Sequence, residues 1–338
     1  MKSSKTIREI QLLKTIGDDR RLEVLRLLMD QPHTLTQLGD RLGVHPAKVR
    51  YHLKLLEKNG LVEFVSSKEI RGYVEKYYQA TAKAYLINQI ILPKFDGSQV
   101  VVTLGSHDPA LELLAEHFKG SSQAPQVVTV PIGSLDGLIA LRQRLCHFAG
   151  CHLFDPVADE YNLSYIRYFF PDQNAHVVTL AHRLQGLYIQ QGNPESISSL
   201  NDLTRENITF VNRGIGSGTR LWLDQQIKKL DINPQDIHGY EISVNTHFSV
   251  AERILSGKAQ VGLGVQAAAQ KCGLGFIPLF IERFDLVFLD EAYYSKLLHP
   301  TLEYLQTANF RNEVEALGGY EAHDTGREIK IMKNDTWS

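Results

Sequence analysis

Cysteine, methionine and tryptophan are scarce in this 338-residue chain, with 3, 3 and 2 copies. Cys146, Cys151 and Cys272 cannot all pair with one another, and no two stand in a CxxC spacing. A disulfide framework and a thiolate metal centre are therefore not expected, and a reducing compartment is. His33, His45 and His52 follow no metal-ligand spacing either. No apolar run approaches the ~20 residues that a membrane span requires. The first residues, MKSSKTIREIQLLKTIGDD, scatter charge and contain no apolar core of a signal peptide. The expectation is a cytoplasmic protein with no membrane partner. Catalytic signatures are missing too: there is no GxSxG, HExxH or GxxxxGK[ST]. Asp155 and His107 could be imagined as an acid–base pair, but the expectation is no enzyme, no metal and no covalent cofactor.

What is present is an uneven distribution of charge. The net formal charge is −2, yet residues 1–95 carry 17 Lys and Arg against 10 Asp and Glu, and the remainder carries 19 against 28. A basic module on an acidic body points to a nucleic-acid partner for the module alone. Within it, residues 6–16 and 19–29 have amphipathic helical spacing. Thr34 and Gln37 are placed as a capping box for a helix over 35–42, and Gly43 ends it. Pro46 opens the next helix, which runs to Lys58, with Val49, Leu53 and Leu56 on one face. Its other face carries Lys48, Arg50, Tyr51, His52 and Lys54. A strand over 61–66, a turn over 69–72 and a return strand over 73–80 form a hairpin. A further apolar helix is expected over 82–92.

The stretch LTQLGDRLGVHPAKVRYHLKLLEKNGLVEF resembles the winged-helix DNA-binding domains of ArsR-like transcriptional regulators. The resemblance implies a winged helix-turn-helix domain over 1–92 that binds double-stranded operator DNA as a homodimer. His45, Lys48, Arg50, Tyr51, Lys54 and Arg71 are then the candidate DNA contacts, and the helices over 6–16 and 82–92 the candidate dimer surface. Packing of that second helix within one chain is the alternative.

Pro93 to Gly97 reads as a linker. Beyond it apolar strands alternate with helices, the pattern of an α/β fold with a parallel sheet. Strands are expected at 100–104, 127–131, 177–180, 186–190, 208–211, 241–244, 260–263, 276–280 and 285–289. The stretch ITFVNRGIGSGTRLWLDQQ reads as strand, glycine-rich turn, helix. Its helix N-terminus, with Arg213, Ser217, Gly218, Thr219 and Arg220, suits an anion. Ser106 and His107, Ser134, Asp155, Thr246, Ser249 and Val265 stand at comparable places after other strands. Open α/β sheets bind ligands at those ends. Each Ser or Thr there also suits plain helix capping.

Together with HFSVAERILSGKAQVGLGVQAAAQKCGLGFIPLFIERFDLVF, that stretch resembles the periplasmic-binding-protein-like domain of molybdate-related regulators and molybdopterin-pathway proteins. The resemblance implies a two-lobed type II periplasmic-binding-protein-like domain over 98–330. Lobe one would be 98–182 with 281–330, lobe two 190–278, and 331–338 a tail within a polar stretch that begins near 318. The implied protein is a one-component transcriptional regulator that senses a small oxyanion effector, molybdate or tungstate. The same build sensing an organic anion or a pterin-type molecule, and a molybdenum-cofactor enzyme fused to a DNA reader, are the alternatives.

Overall fold

The computed structural model describes residues 5–7, 10–70, 72–87, 91, 99–120 and 124–334. The chain divides into two compact units, Met1–Leu92 and Pro93–Ser338.

The first unit contains β1 (Lys5–Ile7), α1 (Ile10–Ile16), α2 (Asp19–Asp30), α3 (Leu35–Leu42), α4 (Pro46–Lys58), β2 (Val62–Ile70), β3 (Tyr73–Ala80) and β4 (Tyr85–Ile87). Local chemistry sets the helix ends. Asp18 caps α2 by accepting from Arg21 N–H at 2.9 Å. Thr34 and Gln37 form the expected capping box on α3. Gly43, at φ 64°, makes the left-handed turn that sends the chain into α4. Val24, Leu25, Leu28, Leu38, Val49, Leu53 and Leu56 bury the inner faces of α2, α3 and α4 in one core.

Two expectations are corrected here. The wing is longer than expected: β2 runs to Ile70 and pairs with β3 down to Ile70–Tyr73, because the polar run after Phe64 pairs as a solvated ribbon. The stretch from Tyr85 is not a helix. Tyr85–Ile87 pairs in parallel with Lys5–Ile7, so the expected helix over 6–16 begins only at Ile10. The Tyr85 hydroxyl donates to the Leu61 carbonyl at 2.6 Å, which holds this segment extended within its own unit. Residues 88–90 and 92 of the expected helix, the linker 93–97 and Arg71 lie outside the described residues.

In the second unit, β5 (Val100–Gly105), α5 (Pro109–His117), β6 (Gln126–Pro131) and α6 (Ser134–Arg142) alternate as expected, and β7 (Phe148–Cys151) is a strand not among those expected. A small ribbon, β8 (Phe154–Asp155) with β9 (Glu160–Tyr161), leads to α7 (Leu163–Phe169) and then to β10 (Ala175–Ile189). After β10 come β11 (Phe210–Arg213), α8 (Gly218–Lys229), β12 (Ser243–Val244), α9 (His247–Leu255), β13 (Val261–Val265), α10 (Gln266–Lys271) and β14 (Gly275–Leu289). Three short helices, α11 (Asp290–Tyr293), α12 (His299–Leu305) and α13 (Ala308–Glu315), precede β15 (Tyr320–Glu321) and β16 (Glu328–Ile331).

The sheet order is β12-β11-β13-β10-β14-β7-β5-β6, with β15 and β16 also on β10. β10 and β14 are each 15 residues long and antiparallel along their whole length. β7 pairs with β14 near one end of this ribbon, and β13 pairs with β10 near the other. The ribbon therefore carries a parallel sheet at each end. Four expected strands are really these two. Arg183 and Gln185 lie between the expected strands 177–180 and 186–190, and Glu282 between 276–280 and 285–289. They continue the ladder instead, because Arg183 and Glu282 stand directly opposite each other and neutralise each other. The polar stretch from 318 is likewise not a tail at its start, since Tyr320–Glu321 and Glu328–Ile331 add strands to β10. Residues 335–338 lie outside the described residues.

Candidate functional site

The β-strands of both ends deliver their following helices toward the middle of the ribbon. α6 begins at Ser134, α8 at Gly218 behind its cap Ser217, and α9 at His247 behind its cap Thr246. The two ends meet here. The Leu135 N–H donates to the Gly216 carbonyl at 3.2 Å. A Cβ on Gly218 would collide with the His152 carbonyl oxygen, so only glycine lets the α8 N-terminus come down on His152.

A buried polar cluster fills this junction. The Ser106 and Ser134 hydroxyls are 2.8 Å apart, and His152 Nε2 lies 3.0 Å from Ser106 Oγ. His152 Nδ1 lies 2.9 Å from Glu282 Oε2. Arg183 donates from Nε to Glu282 at 2.6 Å and from Nη1 to Asp108, which also accepts from the Tyr320 hydroxyl at 2.8 Å. Gln185 donates to Glu282 and, at 3.1 Å, to Thr219 Oγ1. Every one of these side chains is buried.

Arg213 is different. It is 2% exposed. It donates to the His247 imidazole, with Nη1 2.7 Å from Nδ1, and from Nη2 to the Asn245 carbonyl at 2.9 Å. Among the described residues its buried Nε has no hydrogen-bond partner and no carboxylate lies within ion-pair distance of it. Burial, and then the Arg183 charge, pull its pKa down from 12.5 to about 10. Arg183 goes the other way: burial would lower it, but Glu282 and Asp108 outweigh that and hold it charged. Burial would raise the Glu282 carboxyl, yet Arg183 and His152 hold it at about 2. Burial, then Arg213 and Arg183, push His247 well below 6.5. Burial also lowers His152, against the pull of Glu282.

The expected ligand residues divide. Ser106, Ser134, Arg213, Thr219 and the Gly218 backbone stand in the cluster. Ser217 Oγ caps α8 by accepting from Arg220 N–H at 3.3 Å. His107 is buried at the rim, its Nε2 2.6 Å from Glu112 and its ring 5.8 Å from that of His247. Val265 ends β13 and its carbonyl accepts from the Tyr188 hydroxyl at 2.6 Å. Thr246 is an ordinary cap of α9, its Oγ1 accepting from Ser249 N–H at 3.0 Å, and the two hydroxyls lie 2.8 Å apart. Arg220 turns away: it pairs with Asp224 at 2.9 Å and stacks on Tyr240 at 3.8 Å. Asp155 spends its carboxylate on the N–H groups of Val157 and Ala158, a tight turn rather than the cluster. Sequence reasoning missed Arg183, Gln185 and Glu282. Their signal was there: Arg183 and Gln185 are polar residues two apart in a largely apolar strand, so they share one face.

In the first unit the outer face of α4 leaves Lys48, Arg50, Tyr51 and Lys54 exposed. His45 serves as the α4 cap, its Nδ1 accepting from Ala47 N–H at 3.2 Å. His52 turns back toward Asp18, 3.7 Å away.

A family described as a PBP superfamily domain matches residues 115–306, and one described as a helix-turn-helix domain matches 16–65. The uncharacterized protein YvgK of Bacillus subtilis is 33% identical over 228 residues, 68% of this chain and 73% of that protein. An uncharacterized protein in the ferredoxin 2Fe-2S gene 5′ region of Clostridium pasteurianum is 33% identical over 108 residues, 32% of this chain and 96% of that protein. Among solved structures, an ABC-type phosphate transport receptor from Vibrio cholerae aligns at a TM-score of 0.43 and 16% identity, over 65% of this chain and 99% of that one. No helix among the described residues is long and apolar enough to cross a membrane.

Proposed function

We propose that this chain, which belongs to the PBP superfamily through residues 115–306, is a DNA-binding transcriptional regulator whose second unit senses a small oxyanion. The helix-turn-helix domain supplies the DNA reader and the PBP domain supplies the ligand site. The observation that carries the anion is Arg213. A buried guanidinium without a carboxylate is costly, and an anion is the partner that removes the cost.

We assign lobe one to 98–182 with 281–330 and lobe two to 190–278, with the anion between them. Arg183 is already neutralised by Asp108 and Glu282, so it adds little net attraction. Arg213 is then the charge, and the hydroxyls of Ser106, Ser134 and Thr219 with the first N–H groups of α8 are the neutral donors. These donors suit molybdate or tungstate, which accept hydrogen bonds and have no apolar surface to bury. In this reading the first unit binds an inverted-repeat operator as a homodimer, with Lys48, Arg50, Tyr51 and Lys54 against the DNA.

Calorimetric titration with molybdate, tungstate, phosphate and sulfate tests the sensor. At least one should bind. Arg213→Met should lower its affinity about a hundredfold or more, since each charge-assisted bond contributes about 1.5–3 kcal/mol. Failure of all four oxyanions to bind the wild-type protein overturns the reading.

A further inference from the structure

On the opposite face of β10 from Arg183 stands a second cluster. His182 Nε2 is 3.4 Å from Asp324 Oδ2, and His323 Nε2 is 3.6 Å from the same oxygen. The two imidazoles stack with centroids 4.9 Å apart and planes 12° apart. One ligand atom from each of the three residues falls within 4.8 Å of the others. From this convergence we propose that His182, His323 and Asp324 form a binding site for a divalent transition-metal ion of the zinc class.

Distance comes first. Around a tetrahedral ion with bonds of about 2.0–2.1 Å, neighbouring ligand atoms stand roughly 3.3 Å apart. The separations of 3.4 and 3.6 Å lie close to that. They are long for hydrogen bonds, and His182 Nε2 is buried with no hydrogen-bond partner among the described residues. Two imidazoles with one carboxylate form a donor set that zinc, nickel and cobalt accept.

Preorganisation comes second. His323 and Asp324 are the central residues of a turn closed by Thr325 N–H on the Ala322 carbonyl at 3.1 Å. The buried Thr325 hydroxyl donates to the Leu180 carbonyl at 2.7 Å and fixes the turn against β10. Asp324 turns its other oxygen toward Arg327, 3.6 Å away, which leaves Oδ2 to the histidines. Glu321 stands directly opposite His182 across the β10–β15 pair, and its Oε2 lies 3.9 Å from His323 Nδ1, the ring nitrogen away from Asp324, where it can hold that imidazole in place. Arg283 is also opposite His182, but its guanidinium pairs with Asp285 at 2.9 Å, which compensates its charge.

The site does not depend on the anion reading. A bound ion would clamp the turn after β15 onto β10, where the same strand pair holds Arg183 opposite Tyr320. The test uses the full-length protein stripped of metal with a chelator. Cobalt(II) is titrated while the visible d–d absorption is followed, and zinc is titrated by calorimetry. One equivalent should bind, with tetrahedral or five-coordinate cobalt bands. His182→Ala with His323→Ala should weaken binding at least about a hundredfold, because loss of a supporting partner alone costs 10–100-fold. His323 is 60% exposed, so the single His323→Ala variant keeps the test valid if the double variant fails to fold. Absence of binding to the wild-type protein at millimolar cobalt or zinc overturns the proposal. So does unchanged binding by the histidine variants.

Discussion

Arg183 and Arg213 are both buried guanidinium groups, and their neighbours set them apart. Arg183→Met would strand Asp108 and Glu282 as unpaired buried carboxylates, and it should cost about 3–5 kcal/mol. Arg213→Met removes a charge that the fold already disfavours. The fall from 12.5 to about 10 corresponds to roughly 3 kcal/mol carried by the charged form at neutral pH. Its hydrogen bonds to His247 and Asn245 are lost in exchange, at about 1 kcal/mol each. Stability without ligand should then stay within about 1–2 kcal/mol of wild type. Urea unfolding of both variants, followed by tryptophan fluorescence, checks the contrast; equal losses would remove the special standing of Arg213. The cluster also predicts two pH windows. A histidine whose folded pKa is lowered contributes stability above its unfolded value, lost as pH falls. His247 and His152 should therefore begin to destabilise the protein below 6.5. Glu282, held at about 2, keeps its contribution above 4.5 and loses it between 4.5 and about 2. His247→Asn should flatten the first window and Glu282→Gln the second, as read from unfolding midpoints against pH.

The elements divide between those that local chemistry dictates and those that need a partner. α2, α3 and α4 carry their apolar stripes in the sequence, and α3 its capping box, and they formed where the spacing places them. The outward face of α4 follows from the inward one. Arg50→Ala should cost about 1–3 kcal/mol on an operator and relax its specificity, if Arg50 reads a guanine edge. Lys54→Ala should weaken all sequences alike and reduce the salt slope by about one. Fluorescence anisotropy at several salt concentrations separates the two, and unchanged binding by Arg50→Ala would show that another element reads the DNA. β10 and β14 are the opposite case. Their middles are charged, and only the register that sets Arg183 against Glu282 makes each a single strand. The same holds for Tyr85–Ile87, whose apolar residues read as a helix until β1 offers a ladder.

For the whole molecule, the two functions are tied by thermodynamics. A ligand shifts DNA affinity only by its differential affinity for the DNA-competent and incompetent states. Reciprocity then requires DNA to change oxyanion affinity by the same factor. The prediction is an equal fold-change in both directions, measured as operator affinity with saturating oxyanion and as oxyanion affinity with saturating operator. Arg213→Met should abolish the first change without altering DNA binding in the absence of oxyanion. A DNA affinity indifferent to a bound oxyanion would separate binding from regulation and refute the sensor role.

The sequence by itself determined the division into a basic helical module and an α/β body, the capping box of α3 and the faces of α2 to α4, and the glycine-rich turn that starts α8. These depend on contacts a few residues apart, which periodicity and capping chemistry express directly. The choice among the polar residues of the loops belonged to tertiary structure alone. Arg213 and Arg220 flank the same glycines, yet one is aimed at His247 and the other at Asp224 and Tyr240. Ser106 and Ser134 meet because β5 and β6 are neighbours, and Glu282 reaches His152 across 130 residues of chain. The strand order sets such distances, and a buried charge takes its role from the partner the fold brings to it.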